Sequence, residues 1–167
     1  MKVLVINPGA TSTKIASYEE EKELWKEDIL HTDRDLEPFV HVSDQTDYRK
    51  NLILQALADH GCNPEDFDAV CGRGGLMRHI PSGTYRINDR ALRDVRHASY
   101  GEHAANLGVL LAKQLADQAG IPSFFVDPVC VDEMQDVARP AGLNGMERQS
   151  FFHALNHKAV ARYAAEQ

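Results

Sequence analysis

The stretch that decides the fold is VLVINPGATSTKIASY, residues 3–18. The continuous apolar run over residues 2–7 predicts a buried strand, and the alternating pattern from Thr13 to Tyr18 predicts a second one. NPGATS between them predicts a tight turn, and residues 23–30 predict a third strand. We therefore expect an antiparallel meander whose first turn lies at the end of the sheet, where backbone amides are free to bind a ligand.

Helices and further strands follow the meander. Strands are predicted at 68–75, in TYRIND (84–89) and at 121–127, and helices at 45–60, at 90–97, at 103–119 and over 146–167. Gly120 is expected to end the third of these helices. This order predicts an α/β fold, with an antiparallel β meander followed by βα units and a mixed sheet flanked by helices.

Composition limits the possible partners. The 167 residues suit one domain, and the net charge of −7 disfavours a nucleic-acid partner, because a phosphate backbone requires a basic surface. No apolar run approaches the length of a membrane span, and the first residues are typical of a strand and not of a signal segment. We therefore expect no membrane partner and a cytoplasmic location. The three cysteines form no metal or disulfide motif.

The turn NPGATSTK (7–14) superficially resembles the phosphate loop GxxxxGK that ends in Ser or Thr. It lacks the second glycine and joins two strands, whereas the phosphate loop precedes a helix, so we reject that interpretation. A turn rich in glycine and hydroxyl groups can still offer amides to a phosphate, with Lys14 adding charge. Ordinary turn chemistry would also explain these residues.

Two charged side chains are predicted to follow strands directly. Arg73 lies in the glycine-flanked segment CGRGG, where it could hold a carboxylate or phosphate with two parallel hydrogen bonds, or form a surface ion pair. Asp127 lies at the end of the strand at 121–127, a position that suits a metal-bound water or a group-transfer site.

Three histidines are further candidates. His153 and His157 are four residues apart on one face of the predicted final helix, which is a zinc-ligand spacing, but neither a third ligand nor the glutamate of HExxH is present. His153 could instead stabilise developing negative charge. His103 is predicted to begin the helix at 103–119, where the helix dipole favours anions.

Taken in order, five blocks resemble one family. They are VLVINPGATSTK, AVCGRGGLMRHIPSGTYRIND, GEHAANLG, FFVDPVCVDEM and FHALNHKAVARYA. They resemble successive segments of the butyrate kinases, within the acetate kinase family of acyl phosphate-forming kinases, almost from end to end of the chain. The resemblance implies a ribonuclease H-like fold of the sugar kinase–actin–heat-shock ATPase type. It also implies that residues 1–167 form the N-terminal domain, without the second, nucleotide-binding half.

The implied reaction is reversible transfer of the ATP γ-phosphoryl group to a short-chain fatty acid, giving an acyl phosphate and ADP. The cofactors would be ATP or ADP and Mg²⁺, and the ligand a short-chain fatty acid or acyl phosphate. A homo-oligomer is expected. Asn7 would help to place Mg²⁺ indirectly and the phosphates, with Ser12 and Lys14 nearby.

The resemblance also implies roles on the acyl side. Arg73 would bind the carboxylate and the migrating phosphoryl group, with Asp127 close to the reacting centre. His103 would line the acyl pocket and His153 would stabilise the transition state. Preorganised donors of this kind commonly contribute about 3 kcal/mol each.

The sequence departs from the family at two positions and in length. Ala10 replaces a hydroxyl residue of the turn, which removes any side-chain contact there. Gly75 aligns with a bulky valine of the acetate kinases, so we hypothesise that it leaves room for a longer acyl tail, with Gly75→Val as the test.

Relatives are about twice as long, so the chain is expected to be a half-enzyme that is inactive alone. The alternatives are a non-catalytic module that binds phosphate, a carboxylate or a partner chain, and a zinc protein that uses His153 and His157.

Overall fold

The predicted meander forms the start of a six-stranded mixed sheet. The computed structural model describes residues 1–167, and its strands are β1 (Lys2–Pro8), β2 (Ser12–Glu19), β3 (Lys22–Leu30), β4 (Ala69–Arg73), β5 (Thr84–Arg86) and β6 (Ser123–Val126). Their order across the sheet is β3-β2-β1-β4-β6-β5. The strands β1, β4 and β6 are parallel, and the other neighbouring pairs are antiparallel. The predicted fold class is confirmed.

Five helices accompany the sheet. They are α1 (Asp33–Leu36), α2 (Thr46–Asp59), α3 (Asp89–Arg96), α4 (Asn106–Ala119) and α5 (Ala154–Ala165). One face of the sheet packs against α2 and α4, which bury the core side chains of β1 such as Leu4 and Ile6. None of the helices combines the length and the apolar character that crossing a bilayer would require.

The boundaries of α4 confirm one expectation and correct another. Gly120 ends the helix in the left-handed conformation, with φ of 69°, as a C-terminal glycine commonly does. The helix begins at Asn106, however, and not at His103. The residues before it form a turn in which the His103 carbonyl accepts the Asn106 amide at 2.9 Å and the His103 Nδ1 accepts the Ala105 amide at 3.1 Å. His103 therefore closes the turn that precedes the helix.

The last predicted helix is shorter than expected. Residues 146–153 are not helical, because their polar groups bind the segment after β6 instead. The Ser150 hydroxyl donates to the Val131 carbonyl at 2.7 Å, and the Phe152 amide donates to the Val129 carbonyl at 3.0 Å. Helix α5 then begins at Ala154, which is its only buried residue.

Helix α5 is fastened to the domain by a charged contact. Lys158 donates to the Glu133 carboxylate at 2.9 Å, and the same carboxylate accepts the Ser82 amide at 3.0 Å and the Ser82 hydroxyl. These Ser82 hydrogen bonds and the Lys158 charge lower the pKa of Glu133 to about 2. The contact holds the helix at the edge of the sheet while most of its surface faces solvent.

Two glycines let α4 approach β4 closely. A Cβ atom added to Gly72 would lie 2.0 Å from the Gly108 carbonyl oxygen, and one added to Gly108 would lie 2.3 Å from the Arg73 carbonyl oxygen. Such distances are far below van der Waals contact, so both positions require glycine. This contact fixes the backbone from which the Arg73 side chain projects.

Candidate active site

The site is built at the carboxyl ends of the parallel strands. Ile6 of β1 is paired with Gly72 of β4, so the next residues, Asn7 and Arg73, are neighbours on the face of the sheet opposite α2 and α4. The Arg73 Nη1 donates to the Asn7 Oδ1 at 3.4 Å. Two side chains that are 66 residues apart in the sequence thus meet at the carboxyl ends of two neighbouring parallel strands.

His153 lines one cavity with Asn7 and Arg73, and His103 lies near enough to Arg73 and His153 for both to affect its pKa. Burial lowers the pKa of His103, and the neighbouring Arg73 charge and His153 lower it further. Since the His103 Nδ1 accepts a backbone amide, the proton of the neutral ring lies on Nε2, which is free to donate. We call Asn7, Arg73, His103 and His153 the Arg73 cluster.

Three members of the Arg73 cluster, all except His103, border a cavity that suits a small anion. Asn7, Arg73, His153, Leu155 and Asn156 line a volume of about 190 Å³, and none of these side chains is acidic. The first turn of α5 contributes the last two, and no side chain caps its N-terminus. A helix start and an arginine both favour negative charge, so a carboxylate or a phosphate is the chemical class that fits.

Asp127 occupies a strained position beside the cluster. Its φ is +35°, which is unusual for a residue with a side chain, and it is only 7% exposed. Its carboxylate accepts the Gly83 amide at 2.7 Å, and its own amide donates to the Gly83 carbonyl at 3.1 Å. Asp127 lines a separate cavity together with Lys158 and Arg162. Its position at the reacting centre therefore stays a prediction.

The residues predicted near the phosphates are spread along the turn. Lys14 pairs with Asn7 across β1 and β2, but its amine lies 3.3 Å from the Asp28 carboxylate and its side chain is 61% exposed. Lys14 and Asn7 share an open groove of about 480 Å³ on the same sheet face. Ser12 begins β2, and its carbonyl accepts the Gly9 amide at 2.7 Å, which closes the turn. Their contacts with phosphate stay predictions.

Buried polar residues beneath the turn were missed by the sequence analysis. The Thr13 hydroxyl contacts Arg49 Nη1 at 3.0 Å and His31 Nε2 at 2.9 Å, and the Tyr48 hydroxyl lies 3.4 Å from His31 Nδ1. Because Arg49 donates to the Thr13 oxygen, the Thr13 proton can be donated to a neutral His31. The arginine lies within the predicted helix at 45–60, and no local pattern distinguishes it from a surface residue.

His31 should make stability depend on pH. Its burial, reinforced by the Arg49 charge, lowers its pKa to about 4 from the ordinary 6.5. Between these values the unfolded chain binds a proton that the folded chain does not. This contribution to the free energy of unfolding is therefore complete above pH 6.5 and is lost as the pH falls towards 4, with a slope of up to about 1.4 kcal/mol per pH unit.

Urea unfolding of the chain from pH 7 to 4.5 would measure this slope. We expect His31→Gln to flatten the curve relative to the parent chain, whereas replacing the exposed His97 by Gln should leave the slope unchanged. Equal slopes for the two variants would contradict this assignment.

Gly75 faces the start of α4. A Cβ atom there would lie 2.4 Å from the Asn106 Oδ1 and 2.5 Å from its Cα. Asn106 is itself fixed, since its Oδ1 accepts the Leu76 amide at 2.7 Å and its Nδ2 donates to the Gly101 carbonyl at 3.0 Å. Packing against α4 thus explains the glycine, and a valine would displace Asn106 as well as any acyl chain. This geometry does not support the hypothesis that Gly75 leaves room for a longer acyl tail.

The zinc alternative loses its geometric basis. His153 precedes α5 and is not on a helical face with His157, so the predicted shared face is wrong. The His157 ring stacks on Phe152 with ring centroids 5.7 Å apart. No group of three or more His, Cys, Asp or Glu side chains in the chain is placed to hold a metal ion.

Comparison with known proteins supports the resemblance found in the sequence. The chain is 48% identical over 166 residues to butyrate kinase 2 of Clostridium acetobutylicum, an alignment that covers 99% of this chain. The chain is homologous to part of a butyrate kinase. It spans 47% of that enzyme's length, about half. No protein-family model matches it.

Solved structures agree on the fold. The acetate kinase of Porphyromonas gingivalis superimposes with a TM-score of 0.64 at 20% identity, over 99% of this chain and 48% of that one. A propionate kinase from Francisella tularensis gives a TM-score of 0.55 at 15% identity, over 99% and 48% of the two chains. At such low identities these likenesses show the fold alone, and it is the ribonuclease H-like fold that the resemblance implied.

Proposed function

We propose that this chain is the acyl- and phosphoryl-binding half of a butyrate kinase-type enzyme, which transfers the ATP γ-phosphoryl group to a short-chain fatty acid. The observation that carries the proposal is that Asn7, Arg73 and His153 of the Arg73 cluster border one cavity whose lining holds no acidic side chain. The identity of 48% to a butyrate kinase supports the choice of acid.

The cluster suits the charge changes of phosphoryl transfer. The migrating group carries negative charge on three oxygens, and catalysis depends mainly on positioning and on neutralising that charge. Arg73 would bind the carboxylate and the phosphoryl group, and the neutral His103 would donate a hydrogen bond from Nε2. His153, placed before the first turn of α5, would stabilise charge on the transferring group. No covalent intermediate with the protein is required.

The residues that line the cavity could contribute few oxygen ligands to a magnesium nucleotide. Mg²⁺ prefers oxygen ligands and commonly keeps several waters while the nucleotide phosphates provide the rest. Asn7 offers one amide oxygen at the cavity, and no carboxylate lines the cavity with it. The ion, which would neutralise charge on the phosphates, would therefore be held mainly by ATP and water, with Asn7 as an indirect contact.

The chain alone should be inactive, because the second half of the nucleotide site would have to come from outside these residues. A chimera would supply that half. In it, this chain replaces the matching residues of the Clostridium acetobutylicum enzyme. We expect the chimera to form butyryl phosphate from butyrate and ATP in a hydroxamate assay, and the isolated chain to form none.

Two results would contradict this proposal. Robust acyl phosphate formation by the isolated chain would show that it is not a half-enzyme. The second result is a folded chimera that forms no butyryl phosphate, although the isolated chain still binds butyrate in a calorimetric titration. That result would indicate the non-catalytic binding module instead.

A further inference from the structure

Arg49 of α2 is buried directly beneath the turn between β1 and β2, and it is only 1% exposed. Its Nη1 donates to the Gly9 carbonyl at 2.9 Å and to the Ser12 carbonyl at 3.2 Å. Its Nη2 donates to the Ala10 carbonyl at 3.3 Å. Three carbonyl groups of a four-residue turn therefore point inward at one guanidinium.

The guanidinium has no acidic partner. Its other acceptors are the Thr13 hydroxyl at 3.0 Å and the Gln45 side-chain oxygen at 2.8 and 3.0 Å, all of which are neutral. Buried charges in proteins are usually paired with an opposite charge. The positive charge of Arg49 thus remains uncompensated behind the turn, and it contributes to the lowered pKa of His31.

Because the carbonyl groups of this turn point inward, the amide groups of the same peptide units point outward. In a planar trans peptide the N–H and C=O groups point in opposite directions. Since the Gly9 and Ala10 carbonyls point at Arg49, the amides of Ala10 and Thr11 point away from it. Neither of these two amides donates a hydrogen bond within the chain. The turn therefore presents two free donors, with a buried positive charge on their far side.

We propose that Arg49 is a positioning residue for the phosphate-binding turn. It holds the turn so that the Ala10 and Thr11 amides bind a nucleotide phosphate, and its charge strengthens that binding without direct contact. This inference rests on the proposed kinase function, because it takes the ligand of the turn to be a phosphate. It also gives the backbone of Ala10 a role that survives the loss of the hydroxyl side chain at this position.

Titration of the 167-residue chain with inorganic pyrophosphate, followed by amide NMR, would test the proposal. In the parent chain we expect the Ala10 and Thr11 resonances to shift. Arg49→Met should raise the Kd by about tenfold and abolish both shifts, and Arg49→Lys should be intermediate. The matched control is Lys50→Met, which removes the same charge from the next residue of α2. It should change the Kd by less than about twofold, because the Lys50 amine pairs with Asp47 at 3.4 Å and makes no hydrogen bond to the turn.

Circular dichroism would show whether each variant folds. If Arg49→Met does not, Gln45→Ala removes the acceptor on the other side of the guanidinium, and it should also weaken pyrophosphate binding. A folded variant that keeps the parent Kd and both shifts would overturn the proposal. So would a parent chain whose Ala10 and Thr11 amides do not respond. A parallel titration with butyrate would monitor the NMR signals of the Arg73 side chain. A response there without one at the turn would contradict only the role of Arg49, whereas no response at either place would also contradict the proposed function.

Discussion

Replacing Arg73 by lysine should lower kcat/KM of the chimeric kinase for butyrate by about 10²- to 10³-fold. Lysine keeps the charge but loses the planar fork that can hold a carboxylate or a phosphoryl group with two parallel hydrogen bonds. It also loses the geometry of the contact with Asn7, which orients the guanidinium at the cavity. We expect most of the loss in kcat, because the phosphoryl group moves from ATP towards the carboxylate held by Arg73 only as transfer proceeds, so that interaction is strongest in the transition state.

Steady-state rates from the hydroxamate assay, at varied butyrate and at saturating ATP, would measure this loss. The matched control is Arg86→Lys, which makes the same change at an exposed position of β5 and should leave the rate within about twofold. The urea midpoint of the Arg73→Lys chain should remain close to that of the parent. A variant that is folded and as active as the parent would remove Arg73 from the transfer site.

Replacing Gly108 by alanine should destabilise the chain by about 3 kcal/mol or more, or prevent folding, because overpacking a rigid contact is among the costliest substitutions. The added Cβ would lie 2.3 Å from the Arg73 carbonyl oxygen and 3.1 Å from its nitrogen. Backbone atoms cannot swing away as a flexible side chain can, so α4 would have to move off β4.

Urea unfolding would measure this effect, with Gly9→Ala as the matched control. A Cβ at Gly9 meets only the Ser12 carbonyl oxygen, at an ordinary 3.5 Å, so that variant should unfold within about 1 kcal/mol of the parent chain. If Gly108→Ala unfolded at the same midpoint as the control, the close approach of α4 to β4 would not be required by the fold.

Much of the fold followed from local patterns. The apolar run over residues 2–7 and the alternation after Thr13 predicted β1 and β2, and the helical pattern over residues 103–119 predicted α4. The start of α4 and the first part of the last predicted helix were wrong. At the start of α4 the local turn closed by His103 replaces the first predicted helical residues. In the last predicted helix, Ser150 and Phe152 instead bind the segment after β6, and these long-range contacts outweigh helix propensity.

The candidate site was predictable only in part. Asn7, Arg73, His103 and His153 lie in segments that resemble a known family, and the structure brings them together. Arg49 and Asn106 were missed, because their importance arises from contacts with residues about 30 to 40 positions away in the chain. Gly75 was noticed, but its sequence position could not show that the missing side chain would point at Asn106.

The contact that fastens α5 has a consequence for the conditions under which the site is complete. His153 immediately precedes a helix that buries only one of its own residues, and that helix is held by the ion pair of Lys158 with a half-exposed carboxylate. Exposed ion pairs weaken as ionic strength rises, whereas the packing of the sheet does not. Raising the salt concentration would therefore weaken the attachment of α5 and the positioning of His153, while the turn between β1 and β2 and Arg73 would keep their positions.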